Sequence, residues 1–152
     1  TPKYQGITNA QINKFELPEN GGVIEIIAGE YENIKGTAAT FTPVYLLNTK
    51  LNKGAKASFN FPANYNTALL VIEGSVKVND IKNISTDHFA LFENEGEEFT
   101  IEATENTVVL VLSGEPIEEP IVAHGPFVMN TQTEIMQAFY DMNIGKFGYL
   151  ED

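Results

Sequence analysis

Two histidines and a cluster of carboxylates are the side chains of this sequence that could take part in chemistry. His88 and His124 stand 36 residues apart and neither has a second imidazole near it, whereas firm transition-metal sites normally combine several imidazole or thiolate ligands. The segment Glu93–Glu98 carries four glutamates, but its spacing differs from that of a calcium-binding loop. We therefore interpret the histidines as structural side chains and the glutamates as a solvated turn.

Motifs for nucleophilic catalysis and phosphate binding are missing from the sequence. The segments STDH (Ser85–His88) and LSGE (Leu112–Glu115) do not match a nucleophile elbow. No GxxxxGK[ST] or GxGxxG loop occurs, and the absence of cysteine excludes disulfides, thiolate nucleophiles and cysteine-based zinc sites. The sequence therefore predicts no catalytic, cofactor-binding or metal-binding residue in this chain.

Composition and charge restrict the partners of the protein. The 152 residues are 43% hydrophobic, which suits one globular domain, and 21 acidic against 9 basic residues give a net charge of −12. Such a charge repels phosphate backbones and anionic membrane surfaces, and no apolar run approaches the roughly 20 residues of a membrane-spanning helix. We therefore expect no direct nucleic-acid binding, no membrane association and, from the missing cysteines, a cytoplasmic location. The start TPKYQ lacks an initiator Met, so processing or cleavage from a longer chain is one expectation.

Short apolar or alternating runs bounded by Gly, Asn, Pro or Asp recur through most of the chain and are typical of β-strands. Their spacing predicts a sandwich or barrel. Between two of these runs, the turn Glu73-Gly74-Ser75 predicts a hairpin with one solvated outer strand. The strand-like segments are GGVIEIIAGE, VYLLNTKLNKGA, ASFNFPANYN, TALLVIEGSVKVND, HFALFENEGEE, FTIEATEN and TVVLVLSGEP.

Helical periodicity begins only after Thr131. Thr131 and Glu134 have the spacing of a capping box, which satisfies two amide donors at a helix start, and Gly145 is placed to end the helix. The predicted apolar face consists of Ile135, Ala138, Phe139 and Met142. In the preceding segment, AHGPFVMNT, we predict a backbone corner, packing side chains and a helix cap, with His124 as a bystander. These structural or interface residues are Gly125, Pro126, Phe127, Met129, Asn130, Thr131 and Phe139.

The segment Leu112–Gly148, LSGEPIEEPIVAHGPFVMNTQTEIMQAFYDMNIGKFG, closely resembles the carboxy-terminal end of the pirin family. The runs VIEIIAGEYENIKG and TPVYLLNTKLNKGA are similar to the opening strands of that family's second domain, LLVIEGSV to a cupin hairpin, and TPKYQ to the connector between its two cupin domains. The resemblance implies an all-β cupin barrel of the jelly-roll type with a short C-terminal α-helix. It also implies a connector over residues 1–14, a degenerate barrel over 15–122, and a corner, helix and tail packed on the barrel over 123–152.

Pirins are expected to hold iron in their first cupin barrel, on three histidines and one glutamate. The cupin ligand pattern, counted back from Gly74, gives two possible registers in this second barrel, and its second motif places a histidine near Phe99. The two registers are Asn60, Pro62 and Asn66, or Phe61, Ala63 and Thr67. Neither supplies an imidazole or a carboxylate, so the resemblance implies no cofactor in this chain and iron, or another divalent metal, in an N-terminal cupin.

The resemblance leaves two functional hypotheses open. In the first, the chain is a non-catalytic module that supports the metal-bearing N-terminal cupin of the same protein and offers a surface to a protein partner. In the second, it is part of an oxygenase, because pirin relatives include quercetin 2,3-dioxygenases. The segment 123–131 either packs on its own barrel or shapes the pocket of the N-terminal cupin. We expect a divided role, with Phe127 and Met129 anchored to this barrel and part of the helix facing the neighbouring one.

Overall fold

The computed structural model describes residues 4–148, which contain fourteen β-strands and one α-helix. These residues form two units, which divide between Pro116 and Ile117. No helix within the described range has the length and the apolar character needed to cross a membrane. The boundaries predicted for the connector, the barrel and the C-terminal part concern domain organisation and stay predictions.

The elements follow one another along the chain in this order. The strands are β1 (Asn13–Leu17), β2 (Gly22–Ala28), β3 (Glu30–Tyr31), β4 (Ile34–Lys35), β5 (Val44–Leu51), β6 (Lys56–Asn60), β7 (Asn66–Glu73), β8 (Ser75–Val78), β9 (Lys82–Ser85), β10 (Phe89–Leu91), β11 (Glu98–Ala103), β12 (Thr107–Gly114), β13 (Val122–His124) and β14 (Phe127–Met129). The helix is α1 (Gln132–Asn143).

Two antiparallel sheets make up the first unit. The six-stranded sheet has the order β1-β2-β5-β12-β7-β10, and the four-stranded sheet has the order β6-β11-β8-β9. Strands β3 and β4 form a small separate pair, as do β13 and β14 in the second unit. The predicted fold class, an all-β cupin of the jelly-roll type with a short C-terminal helix, is confirmed.

The core of the first unit lies between the two sheets. Side chains of a strand point alternately to its two faces, so one face of each strand is buried. On β12, for example, Val109 and Val111 are fully buried while Leu110 between them is not. The four-stranded sheet contributes residues such as Phe59 and Ile101 to the same core. The alternating sequence runs therefore place one apolar face of each sheet inside.

The hairpin predicted at Gly74 is wrong, although both of its strands exist. Strand β7 pairs with β12 and β10 in the six-stranded sheet, whereas β8 pairs with β11 and β9 in the other. Gly74, with φ of 74°, turns the chain from one sheet into the next, and a Cβ atom there would clash with the Asn106 carbonyl oxygen. Strand β8 is not an outer strand either, because it lies between β11 and β9, but it alternates as predicted, with Val76 and Val78 in the core and Lys77 half-buried.

Glu25 on β2 is a buried carboxylate held by lysines of the two neighbouring strands. Lys14 on β1 and Lys50 on β5 each place Nζ 3.0 Å from a Glu25 oxygen, and Asn48 Nδ2 donates to it at 2.8 Å. Burial by itself raises the pKa of Glu25, but the hydrogen bonds from both lysines and from Asn48, together with the charge of Lys50, outweigh it and lower the pKa from 4.5 to about 2. The ionised carboxylate thus fastens three adjacent strands.

We expect the stability of the protein to depend on pH through Glu25. Because the folded pKa, about 2, lies below the ordinary 4.5, the ion pairs stabilise the fold above about pH 4.5, and this contribution is lost as the pH falls towards 2. The shift corresponds to at most about 3 kcal/mol. Glu25→Gln should lower the free energy of unfolding at neutral pH and flatten its pH dependence, as measured by urea melts. Glu16→Gln, an exposed position on β1, is the control, and unchanged pH profiles in Glu25→Gln would contradict the assignment.

Candidate functional site

The two histidines lie in different units. His88 is exposed in the turn before β10, where its Nδ1 donates to the Thr86 carbonyl oxygen at 3.0 Å. His124 ends β13 and contacts Phe139 edge to face, with 5.5 Å between the ring centroids. Within residues 4–148, no three His, Cys, Asp or Glu side chains are arranged to hold a metal ion. Each histidine therefore has a local structural partner.

The burial of β6 and of the segment after it decides which cupin register faces the interior. Phe61 is 5% exposed and Thr67 is 8% exposed, and Ala63 between them is half-buried. The positions of the other register, by contrast, are exposed: Asn60, Pro62 and Asn66. The inward positions are therefore those of the second register considered in the sequence, and they are apolar or hydroxyl-bearing.

Aromatic rings fill the space that these inward positions enclose. The centroid of the Phe99 ring lies 5.2 Å from Phe59, 6.1 Å from Phe61 and 4.5 Å from Phe92. Tyr45 extends the cluster, 4.8 Å from Phe61. Phe99 is also the position to which the cupin pattern assigns a histidine. Since phenyl rings have no lone pair to donate to a cation, these residues do not fit a metal ion.

A small cleft of about 80 Å³ remains beside the rings. Small-molecule sites commonly have volumes of roughly 300–1,000 Å³, so this cleft is too small for a ligand of that size. Thr67, which lines it, shares a hydrogen bond of 2.8 Å with Ser113 Oγ and is already satisfied. Glutamates of the segment Glu93–Glu98 form part of its rim and are exposed, as expected for a solvated acidic turn.

In the second unit, Gly125 and Pro126 form the two-residue turn of the β13–β14 hairpin. His124 pairs with Phe127 across this turn. Gly125 has φ of 55°, a left-handed conformation that suits glycine at the first position of a hairpin turn, and the ring of Pro126 fixes the following φ. A side chain at Gly125 would also approach Phe139 Cζ at 3.2 Å. This turn is a corner of the backbone, and it lies against the helix of the same unit.

Phe139 is the residue through which the helix and the hairpin pack. Its ring lies 5.1 Å from Phe127 at an interplanar angle of 85°, an edge-to-face contact, in addition to its contact with His124. Phe127 in turn lies 6.0 Å from Phe147, which follows the helix. Met129 is half-buried on β14. Aromatic contacts thus join the beginning, middle and end of the unit.

Thr131 caps the helix, as the capping box predicts. Its Oγ1 accepts from the Glu134 backbone N–H at 3.3 Å, and Glu134 Oε2 accepts from the Thr131 backbone N–H at 2.8 Å. Asn130, the residue before the cap, donates through Nδ2 to Glu119 Oε2 at 2.7 Å and to the Pro120 carbonyl oxygen at 3.1 Å. Asn130 therefore ties the helix start to the segment that precedes the hairpin.

An apolar stripe on α1 is exposed, and the sequence analysis did not single it out. Met136 is 59% exposed and Tyr140 60%, and their spacing of four residues places them on one side of the helix. Ile144, the residue that follows α1, continues this spacing and is 57% exposed. The buried side contains Ile135 and Ala138. Met142, seven residues after Ile135, lies on the buried side as predicted, but it stands at the end of the helix and is 41% exposed. The spacing of four between Met136, Tyr140 and Ile144 is visible in the sequence. It was not singled out because the helix also has apolar residues on its opposite side.

We expect Phe139→Ala to destabilise the second unit by about 2 kcal/mol, less than the roughly 3–5 kcal/mol of a fully buried phenylalanine because the ring is only half-buried. Tyr140→Ala is the matched control, since this neighbouring ring is exposed and should cost no more than about 0.5 kcal/mol. Urea melts followed by the helical circular dichroism signal measure both changes. Equal costs at the two positions would show that Phe139 does not hold the unit together.

Comparison with known proteins gives consistent matches over the chain. The family described as Pirin C-terminal cupin domain matches residues 46–148, more than half of the chain. Human pirin is 34% identical over 153 residues, covering 97% of this chain and 52% of its own length, and a pirin-like protein from Solanum lycopersicum is 33% identical, with 97% and 51%.

A crystal structure of a quercetin 2,3-dioxygenase from Acinetobacter baumannii superposes with a TM-score of 0.92 at 45% identity. The match covers 99% of this chain and 53% of that protein. The chain therefore spans about half the length of the relatives it matches. On the family match and the cupin fold together, this chain belongs to the pirin family, as a pirin C-terminal cupin domain.

Proposed function

We propose that this chain is the non-catalytic C-terminal module of a pirin-like protein and that it supports a metal-bearing N-terminal cupin of the same protein. The observation that carries the proposal is the ring cluster around Phe99, which occupies the interior positions where a cupin would place its ligands. Iron or another divalent metal, where the whole protein uses one, would then be held outside these residues. A cytoplasmic location accompanies this proposal.

The exposed stripe of Met136, Tyr140 and Ile144 supports a docking role for the second unit. Exposed apolar side chains in a contiguous row are characteristic of interaction surfaces. Phe147, 62% exposed, lies close after the helix and extends the apolar character of this part of the chain. We propose that this stripe contacts the N-terminal cupin or a protein partner and that contact excludes water from it.

A second candidate concerns the whole protein rather than the chain. The relative from Acinetobacter baumannii, 45% identical, is described as a quercetin 2,3-dioxygenase. If the parent protein has that activity, this chain contributes stability and domain contacts to the enzyme, and the reacting groups lie in the other half. Both candidates assign the same supporting role to the residues described here.

The purified chain should neither retain a stoichiometric metal nor degrade quercetin. After incubation with Fe(II) and removal of the excess, elemental analysis should find no tightly bound iron, because the interior positions supply no ligand. The loss of quercetin absorbance should match that of heat-denatured chain, with the Acinetobacter baumannii relative as positive control. One tightly held metal per chain that is lost in His88→Ala or His124→Ala, or iron-dependent turnover, would refute the non-catalytic assignment.

Methionine oxidation tests the docking role of the stripe. Met136 should react readily with peroxide in the isolated chain, because its thioether is exposed, and several-fold more slowly in the protein expressed from its complete reading frame, where the stripe is covered. Met142 is the internal control, since it is exposed but lies off the stripe. Peptide mass spectrometry gives both rates. Equal Met136 rates in the two proteins would contradict docking of this face on the N-terminal cupin and would leave a separate protein partner as its occupant.

A further inference from the structure

Strands β9 and β10 form an open side of the first unit. Strand β10 ends the six-stranded sheet and β9 ends the four-stranded sheet, and within residues 4–148 neither has a strand on its other side. A groove of about 500 Å³ runs between them, lined by Lys82–Ser85 and His88–Leu91. Two free strand edges therefore face a common groove.

Backbone hydrogen bonds show which groups of β10 are free. The Val71 N–H donates to the His88 carbonyl oxygen at 3.1 Å, and the Phe92 N–H donates to the Thr67 carbonyl oxygen at 3.0 Å. In an antiparallel ladder, bonded residues alternate with residues whose N–H and C=O point the other way. Since residues 88 and 92 bond towards β7, the backbone groups of Phe89 and Leu91 point away from β7, towards the open side.

The side chains of the same two residues are apolar and exposed. Phe89 is 60% exposed and Leu91 is 71% exposed. Phe89 lies opposite Leu70 on β7, so it shares the outer face of the sheet with Ile72, which is 43% exposed. An incoming strand that pairs with β10 would place alternate side chains beside this apolar row.

The other face of such a strand would meet positive charge. Lys82 pairs with Val78, whose side chain is buried, so Lys82 lies on the groove side of β9. Lys82 has no ion pair among the described residues. Among the residues that the structure describes, Lys82 and His88 are the ionisable side chains that line the groove, and no carboxylate lines it. The chain has a net charge of −12, but this groove carries the positive charge of Lys82.

We propose that the edge of β10 is a docking site for an extended peptide segment that adds to the six-stranded sheet as a further antiparallel strand. The backbone of the segment bonds to Phe89 and Leu91, its apolar side chains pack on the outer face beside these residues, and its alternate, acidic side chains face Lys82 and His88. A second copy of this chain is a poorer occupant, because pairing two β10 edges brings two sets of basic side chains and two net charges of −12 together. This surface is independent of the stripe on α1.

The test measures the binding of short synthetic peptides of alternating valine and glutamate. Binding is monitored through the backbone amide NMR signals of the 152-residue protein. The expected result is a set of shifts confined to residues 82–91. N-methylation of the valines, whose amides would face β10, should weaken binding by about tenfold or more, whereas N-methylation of the glutamates, whose amides face away, should leave it unchanged. A valine–lysine peptide should not bind.

Protein variants complete the test. Leu91→Pro removes an outward N–H without breaking a bond to β7, a position that an edge strand tolerates, and it should abolish binding. Lys82→Glu, at an exposed position, should reverse the preference between the glutamate and lysine peptides, and Ile81→Ser, an exposed apolar residue outside the lining, should change nothing. Equal binding of the valine-methylated peptide, shifts elsewhere in the protein, or sedimentation showing a dimer that protects β10 would overturn the proposal.

Discussion

The packing of aromatic rings between the two sheets is the constraint on which the rest of this structure depends. Phe59 and Phe99 lie opposite each other on β6 and β11 with their rings stacked 5.2 Å apart, and Phe61 and Phe92 enlarge the cluster. Each ring buries a large apolar area, and protein interiors are packed almost without voids. The rings therefore occupy the space in which a metal ion and its ligands would fit. The same ring cluster stabilises the sheets and takes the positions that ligand groups would need.

A filled interior leaves the outer surfaces to make contacts, and the two edges of the six-stranded sheet differ in this respect. At the β1 edge, the Glu25 cluster and the charged side chains of Lys14 and Glu16 follow the usual protection of an edge by charge. At the β10 edge, exposed apolar residues stand beside free backbone groups, a combination that sheets generally avoid. That exception is what makes the β10 edge, rather than the β1 edge, suited to receive another strand.

The strands with long apolar or alternating runs were predictable from the sequence, because their pattern is local. Strands β2, β5, β7 and β12 fall within such runs. Strand β9, KNIS, has one apolar residue, and β13 and β14 have three residues each, so their existence depends on pairing with a partner. The mistaken hairpin at Gly74 has a similar origin, since sequence shows a turn but not that the next strand joins another sheet. The cupin register was left open for the same reason, because only the pairing of β6 with β11 directs Phe61 inward.

The helix shows the limit of pattern analysis most clearly. Apolar residues occur on two sides of α1, one containing Ile135 and Ala138 and the other Met136 and Tyr140. Periodicity establishes that both sides exist, but it does not reveal which side the rest of the chain covers. The structure buries the first and leaves the second exposed. A helix that is apolar on two sides is stable in water only at a cost in exposed surface unless each side meets a partner. The capping box and the Phe139 contacts hold this helix in place, so the second side is presented in a fixed orientation, and a fixed apolar surface binds a partner with less loss of conformational entropy than a mobile one.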